Sequence, residues 1–125
     1  MDEASDKTVE APPSLAALLA DDERVVLVLP GFPRSIVATD RRVMTGPSGS
    51  LPGDTRSYRY EELTGVSAHL GILSRRTVVL EGPGLRSDWA GARRDGNSTV
   101  VQVWRLGPAR LAVERLRALI AERRA

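Results

Sequence analysis

Short runs of apolar and β-branched residues, separated by turn residues, occupy most of the chain between positions 24 and 105. The pattern is clearest over residues 64–70, where Val66, Ala68 and Leu70 alternate with polar residues. A period of two is typical of a strand with one buried and one exposed face. Seven strands are predicted from these short runs and the turns between them, over residues 24–29, 35–39, 42–45, 56–60, 64–70, 75–81 and 98–105.

The last part of the chain, residues 108–124, has a helical period instead. Pro108 suits the first turn of a helix because its missing N–H would be unpaired there in any case. The apolar residues that follow recur at spacings of three and four and form one stripe, which consists of Ala109, Ala112, Val113, Leu116, Leu119 and Ile120. The five arginines of this helix are expected to form a solvated face.

The N-terminal part of the chain is predicted to contain a tail and a short helix. Residues 1–12 are polar and acidic without a periodic apolar pattern, which indicates a disordered acidic tail. Leucines at helical spacing then predict a short helix over residues 14–20. The Ser14 hydroxyl is expected to cap this helix by accepting a hydrogen bond from a free backbone N–H.

Seven short strands followed by one amphipathic helix indicate a mainly β domain spanning residues 13–125. The alternation of strands and helices that builds a parallel sheet is absent, so the strands are expected to be antiparallel. A length of 125 residues suits a single domain. We therefore expect a small barrel or two packed sheets, closed by the C-terminal helix.

Composition excludes several classes of protein. The chain has no cysteine, which excludes a disulfide scaffold and a thiolate metal site. No apolar run approaches the roughly 18–20 residues that cross a bilayer, and the acidic N-terminus lacks the apolar stretch of a secretory signal. We therefore expect a cytoplasmic protein, either free or peripherally associated with the inner face of the membrane.

The sequence lacks the spacing of a known catalytic or metal-binding motif. Its single histidine, His69, falls on the polar face of a predicted strand and has no partner at metal-ligand spacing. The glycine-rich segment 46–53 lacks the Lys-Ser/Thr ending of a phosphate-binding loop. We therefore expect no enzyme activity, no cofactor and no metal ion.

The net charge of +2 conceals two regions of opposite sign. Residues 1–23 contain seven acids and one base, a net charge of −6. Residues 24–125 contain 17 arginines and nine acids, a net charge of +8. A body of this charge attracts anions such as lipid headgroups, nucleic acid or acidic protein, although charge also serves solubility. The acidic leader either covers the basic loops or is inert.

The arginines cluster at or near predicted turns, so the loops are the candidate contact sites. Trp89 lies in a predicted long loop, over residues 82–97, with arginines on both sides. A tryptophan in this position inserts at a lipid interface, stacks on a base, or folds back over one end of the barrel. The candidate anion-binding residues are Arg34, Arg56, Arg86, Trp89, Arg93 and Arg94.

Three segments of the chain resemble the bacterial pleckstrin-homology-like (PH-like) domains. They are Leu-x-x-x-Glu-x-Val-x-x-x-x-Pro-Gly at residues 19–31, Thr-Asp-Arg-Arg-Val at residues 39–43, and Tyr-Arg-Tyr-Glu-Glu-Leu-Thr-Gly-Val at residues 58–66. The resemblance covers roughly residues 15–124. It implies a PH-like barrel of seven antiparallel strands in two nearly orthogonal sheets, closed at one end by the C-terminal helix.

The resemblance also implies a non-catalytic module that binds a ligand or a partner. Relatives that bind phosphoinositides carry basic residues in the loops after the first, third and sixth strands. In this chain those loops hold Arg34, Arg56 and Arg86, together with Arg93 and Arg94. The first of these loops is only Gly-Phe-Pro and lacks the spaced basic residues that hold an inositol phosphate, so that specificity does not carry over.

We expect a binding module that docks a protein partner or an anionic membrane surface through its loop arginines. The alternative is a small β-barrel protein that binds nucleic acid. Against this alternative, the chain has one tryptophan in a predicted loop and few other aromatic residues, which make a poor platform for stacked bases.

Overall fold

The computed structural model describes residues 11–124, which form two antiparallel sheets and three α-helices. Helix α1 is Pro13–Ala16. The first sheet contains β1 (Val25–Leu29), β2 (Arg34–Thr39), β3 (Arg42–Pro47) and β4 (Arg56–Arg59). The second contains β5 (Gly65–His69), β6 (Thr77–Glu81) and β7 (Ser98–Val100). Helix α2 (Trp89–Asp95) connects β6 to β7, and helix α3 (Leu106–Arg124) follows β7.

The strands of each sheet lie in chain order, β1-β2-β3-β4 and β5-β6-β7, and neighbouring strands are antiparallel. The prediction of a mainly β domain with a C-terminal helix is therefore confirmed. A backbone bridge between Phe32 and Val100 connects the ends of the two sheets. Within residues 11–124 the strands do not form one continuous, closed ring of hydrogen-bonded neighbours.

The main core contains side chains from both sheets and from helix α3. Ile36 and Ala38 of β2 share one buried cluster with Val78 and Leu80 of β6, as the period of two in each strand requires. Helix α3 contributes the buried part of its predicted stripe, which is Ala109, Val113, Leu116 and Ile120. The apolar pattern of the sequence therefore accounts for the main core.

A second, smaller core lies on the opposite face of the four-stranded sheet. Leu15, Val37 and Met44 are fully buried in it. Val37 points away from the main core because its neighbours Ile36 and Ala38 point into it. The N-terminal segment therefore covers the outer face of the sheet, and β2 and β3 are buried on both sides.

The N-terminal segment differs from its predicted form. Helix α1 is a single turn, shorter than the helix predicted over residues 14–20. Ser14 does not cap it: Pro12 occupies the cap position, and Ser14 Oγ donates to the carbonyl oxygen of Pro47 at 3.3 Å. Of the predicted acidic tail, residues 1–10 lie outside the described residues.

A buried ion pair fastens this segment to the sheet. Glu23 accepts hydrogen bonds from Arg42 Nε and Nη2, both at 2.9 Å, and from Thr39 Oγ1 at 2.6 Å. The Arg42 guanidinium lowers the pKa of Glu23 to about 2, although burial acts in the opposite direction. Arg42 therefore belongs to the structure of the domain and is not available as a contact for an external anion.

The long loop predicted over residues 82–97 contains helix α2, so that prediction is wrong for part of its length. Asp88 is the N-cap, since its carboxylate accepts a hydrogen bond from the Gly91 N–H at 2.8 Å. Gly96 ends the helix with a φ of 83°, a left-handed conformation that glycine adopts without strain. The helix buries only Gly91 and Ala92, so it has no apolar stripe that a pattern search could detect.

The seventh strand and the C-terminal helix also differ at their boundaries. Strand β7 ends at Val100 and not at position 105, because Val103–Arg105 forms a 3₁₀ turn. This turn leads directly into α3, which begins at Leu106 and not at Pro108. The C-terminal helix is otherwise as predicted.

Two arginines of α3 contact the second sheet, although a solvated face was expected for them. Arg117 Nε donates to the carbonyl oxygen of Val66 at 3.1 Å, and Arg110 Nη2 donates to that of Leu70 at 2.9 Å. Val66 lies in β5, the outer strand of this sheet, and Leu70 directly follows that strand. Polar contacts therefore attach α3 to the sheet in addition to its apolar stripe.

Candidate binding surface

Arg34, Arg56 and Arg86 lie where the β1–β2 connection, the β3–β4 connection and the end of α2 meet. Arg34 donates to Thr45 Oγ1 at 2.9 Å and to the carbonyl oxygen of Asp54 at 3.0 Å. Its side chain is only 14% exposed. Burial lowers the pKa of Arg34, and the Asp54 carboxylate opposes that change. Arg34 therefore holds the loops together and presents little surface to an external anion.

Arg56 and Arg86 are also engaged by groups of these loops. Arg56 Nη2 lies 3.0 Å from Asp54 Oδ2, and Arg56 Nε donates to the carbonyl oxygen of Asp95 at 3.2 Å. Arg86 Nε lies 3.7 Å from Asp95 Oδ2. We refer to Arg34, Arg56, Arg86, Asp54 and Asp95 as the paired arginine cluster. Three predicted contact residues thus converge, but they converge on two carboxylates of the same chain.

The other predicted contact residues, Trp89, Arg93 and Arg94, lie on α2. Trp89 is the first residue of this helix and is half-buried. The guanidinium carbon of Arg75 lies 4.1 Å from the centroid of the Trp89 ring, and that of Arg93 lies 5.6 Å from it. Cations at these distances are attracted by the π electrons of the ring. Trp89 is therefore held against the domain and does not extend from a free loop.

A groove of about 500 Å³ lies beside Trp89 on the outer face of the three-stranded sheet. Outward-facing residues of β5 and β6 form its floor, while the β5–β6 connection and the start of α2 form its walls. We refer to it as the Trp89 groove; its polar and aromatic lining includes Ser67, His69, Arg75, Thr77, Ser87 and Trp89. Hydroxyl donors beside a guanidinium are suited to a phosphate or carboxylate group.

The arginines around this groove differ from the paired arginine cluster in their partners. Among the ion pairs of residues 11–124, none involves Arg75, Arg93 or Arg94. Their positive charge is therefore not neutralised by a neighbouring carboxylate of the described chain. All three are exposed, so an external anion can reach them.

His69 is one of the residues that line the Trp89 groove. It is exposed at the end of β5, as expected from its polar face. Ser74 Oγ donates to the carbonyl oxygens of His69 at 2.9 Å and Gly71 at 2.8 Å, so this hydroxyl stabilises the hairpin turn. None of the described residues that line the groove is an acid, and the imidazole has no carboxylate there to orient it.

The β5–β6 connection carries an exposed apolar tip next to the groove. Ile72 is 69% exposed and Leu73 is 100% exposed. Arg76 follows with a φ of 55°, and its Nε donates to the carbonyl oxygen of Val101 at 2.9 Å. The sequence places Arg75 and Arg76 among the arginine pairs near predicted turns, but the candidate anion-binding residues include neither them nor the hairpin tip. The sequence does contain a signal for this contact site, because two large apolar residues, Ile72 and Leu73, lie within the predicted turn at residues 71–74.

None of the helices within residues 11–124 has both the length and the apolar content that crossing a bilayer requires. Comparison of the chain with family models, with curated proteins and with solved structures finds no match.

Proposed function

We propose that this chain is a non-catalytic binding module with a PH-like fold that docks onto an anionic membrane surface from the cytoplasm. In this proposal the two sheets are nearly orthogonal walls of a barrel, and α3 closes one end of it. Seven strands followed by a C-terminal helix support the fold, as do the segments at residues 19–31, 39–43 and 58–66. The absence of an acid from the described lining of the Trp89 groove supports a role without catalysis.

The contrast between the two groups of arginines carries this proposal. Each arginine of the paired arginine cluster lies within 4 Å of one of its two acids, whereas Arg75 and Arg93 lie over the Trp89 ring and form no ion pair in the described chain. An anionic group can therefore bind at Arg75 and Arg93 without displacing an internal carboxylate. The docking surface consists of Arg75, Trp89, Arg93 and Arg94.

A membrane is favoured over the other anionic partners by the surroundings of this surface. Ile72 and Leu73 project beside Arg75, and an apolar tip next to cations fits the interface of an anionic bilayer. An acidic protein partner would use the same arginines and is the second outcome to test. Nucleic acid is disfavoured because Arg75 lies over the Trp89 ring at 4.1 Å, where a base would have to stack.

The proposal is tested by sedimentation of the full chain with vesicles of phosphatidylcholine alone and of phosphatidylcholine with phosphatidylserine. We expect binding only to the anionic vesicles, with an affinity that falls steeply as salt is added. Replacing Arg75 and Arg93 together by Gln should weaken binding about 30-fold, since each arginine near an anionic surface contributes about 1 kcal/mol.

The matched control is the double variant Arg24→Gln and Arg59→Gln, which removes the same charge from the four-stranded sheet. Equal weakening by both double variants would mean that net charge alone drives binding, and the docking surface would be wrong. If neither vesicle binds, membrane docking is wrong. A gel shift with single- and double-stranded oligonucleotides at physiological salt then tests the nucleic-acid alternative.

A further inference from the structure

Among residues 11–124, six of the nine exposed large apolar side chains lie in three segments that contact one another, whereas Leu18, Val25 and Leu51 lie elsewhere. Leu73 is fully exposed, and the exposed fractions of Trp104, Leu111 and Ile72 are 75%, 70% and 69%. Single exposed apolar residues are ordinary on protein surfaces, whereas a group of them marks an interaction site. We refer to the group as the apolar end; it consists of Phe32, Ile72, Leu73, Val103, Trp104 and Leu111.

Two hydrogen bonds bring the β5–β6 hairpin to the segment that precedes α3. The Val101 N–H donates to the carbonyl oxygen of Arg76 at 2.8 Å, and Arg76 Nε donates back to the carbonyl oxygen of Val101 at 2.9 Å. Val101 is separated from Trp104 by only two residues. The hairpin tip and the 3₁₀ turn before α3 therefore lie side by side.

Two further contacts bring the remaining members to the same end. Arg110 Nη2 donates to the carbonyl oxygen of Leu70, at the base of the hairpin, at 2.9 Å. Because Arg110 adjoins Leu111, this contact fixes the first turns of α3 beside the hairpin. The Phe32 N–H donates to the carbonyl oxygen of Val100 at 2.8 Å. The apolar end is thus built by three chain segments that are held together by hydrogen bonds to backbone carbonyl oxygens.

The charges around the apolar end indicate what binds there. Residues 70–76 and 100–113 contain four arginines and no acidic residue, and the next residue of α3, the exposed Glu114, pairs with Arg117 at 3.0 Å. A symmetric dimer formed through this end would place arginines opposite arginines, because a two-fold interface pairs the same surface with itself. An anionic bilayer instead offers phosphate and carboxylate groups to the arginines and hydrocarbon to the apolar side chains. Tryptophan is enriched at this boundary in membrane proteins.

We infer that the apolar end inserts into the headgroup–acyl boundary of the anionic leaflet that the domain contacts. Burial of apolar side chains then holds the domain on the membrane in addition to its arginines. This inference rests on the proposed function. The Trp89 groove adjoins the hairpin tip through Leu73 and Arg75, so headgroups can reach the groove when the tip is inserted. The hairpin tip and Trp104 are the deepest parts of the bound domain.

Tryptophan fluorescence of the full chain tests the depth of insertion. The chain has two tryptophans, so Trp89→Phe leaves Trp104 as the only indole, and Trp104→Phe leaves Trp89. Both variants are measured at saturating lipid with phosphatidylserine vesicles that carry brominated acyl chains. We expect a blue shift and strong quenching of Trp104, and weaker quenching of Trp89 at the headgroup level.

Substitution of the hairpin tip tests its contribution to affinity. The double variant Ile72→Ser and Leu73→Ser should weaken vesicle binding at least about 10-fold per side chain, as expected when a large aliphatic side chain is no longer buried. The loss should persist at 1 M salt, where the screening length is about 3 Å. The control Leu51→Ser removes an exposed aliphatic residue of the β3–β4 connection and should leave binding unchanged. Unchanged thermal unfolding confirms that the variants fold.

The outcomes separate this inference from the proposed function. If the Arg75 and Arg93 variant loses binding while the tip variant does not, and Trp104 is not quenched, docking is electrostatic and the inference is wrong. If the wild-type chain forms a dimer that the tip variant cannot form, a second copy covers the apolar end and the inference is also wrong. If the wild-type chain binds no vesicles at all, both the proposed function and this inference are wrong.

Discussion

The guanidinium carbon of Arg75, in the β5–β6 connection, lies 4.1 Å from the centroid of the Trp89 ring at the start of α2. This contact joins a hairpin connection to a helix that is distant from it in sequence, and it forms one wall of the Trp89 groove. It also restrains an arginine that would otherwise move freely at a hairpin tip. A restrained cation loses less side-chain entropy when an anion binds than a free one does.

Removal of the indole should destabilise the domain and release both arginines. We expect Trp89→Ala to lower the free energy of unfolding by about 1–2 kcal/mol, because a half-buried ring and its cation–π contacts are lost. Trp89→Phe keeps an aromatic face and should retain most of this stability. Urea unfolding followed by circular dichroism measures both values. Equal stability of all three proteins would show that the ring is not held in place.

The Glu23–Arg42 pair should make stability depend on pH in the acidic range. The pKa of Glu23 is about 2 in the folded chain against an ordinary value of 4.5, so the fold favours the ionised form. The contribution is complete above about pH 4.5 and is lost as the pH falls towards 2; it amounts to at most about 3 kcal/mol. Urea titrations across this range measure it.

The variant Glu23→Gln should remove most of this pH dependence and be less stable than the wild type at pH 7. Its matched control is Asp22→Asn, which breaks the exposed ion pair between Asp22 and Arg41. Exposed pairs contribute little to stability, so the control should unfold like the wild type. If Glu23→Gln and the wild type lose stability equally as the pH falls, the Glu23–Arg42 pair is not the source of the pH dependence.

Arg34 and Arg93 should respond in opposite ways to the same substitution. Arg34→Met should lower the free energy of unfolding by about 1–3 kcal/mol, since it leaves the buried Thr45 hydroxyl without its charged donor. Arg93→Met should leave stability unchanged and weaken binding to anionic vesicles about fivefold. Unfolding and sedimentation experiments on each variant separate the two roles. If the Arg34→Met variant is as stable as the wild type but binds vesicles more weakly, Arg34 is a contact residue and the structural role given to it is wrong.

Removal of residues 1–10 tests whether the acidic leader covers the basic surface. These residues carry four acids and one base, a net charge of −3. If they compete with external anions, their deletion should tighten vesicle binding several-fold and steepen its salt dependence. Deletion should stop before Ala11, which packs against the second core. Unchanged affinity and salt dependence would show that the leader is inert.

The strands and α3 could be predicted because their signals are local in the sequence. All seven predicted strands overlap strands of the structure, since each is a short run with β-branched or apolar residues that is bounded by turn residues. Helix α2 was missed because its buried residues, Gly91 and Ala92, are small and form no stripe. Its ends could have been recognised from Asp88 and Gly96, a capping residue and a C-terminal glycine eight positions apart.

The candidate site was less predictable because it depends on which loops meet. Position at a loop placed Arg34 and Arg56 among the candidate residues, but it could not show that the two would meet or that Asp54 and Asp95 would engage them. Those contacts join residues 20 and 39 positions apart. The contact between Arg75 and Trp89 also joins two separate segments of the chain, so the sequence pattern does not predict it. Loop position predicts proximity to a surface, whereas the pairing of charges requires the three-dimensional arrangement.

The arginines that α3 places against β5 affect how copies of this chain meet in concentrated solution. The outer strand of an open sheet offers free backbone groups to which a strand of another molecule can add, and such addition leads to aggregation. In this domain the carbonyl oxygens of Val66 and Leu70 already accept hydrogen bonds from Arg117 and Arg110. Growth of the sheet from one molecule into the next would have to displace helix α3, so the second sheet is protected at this edge from fibril-like association.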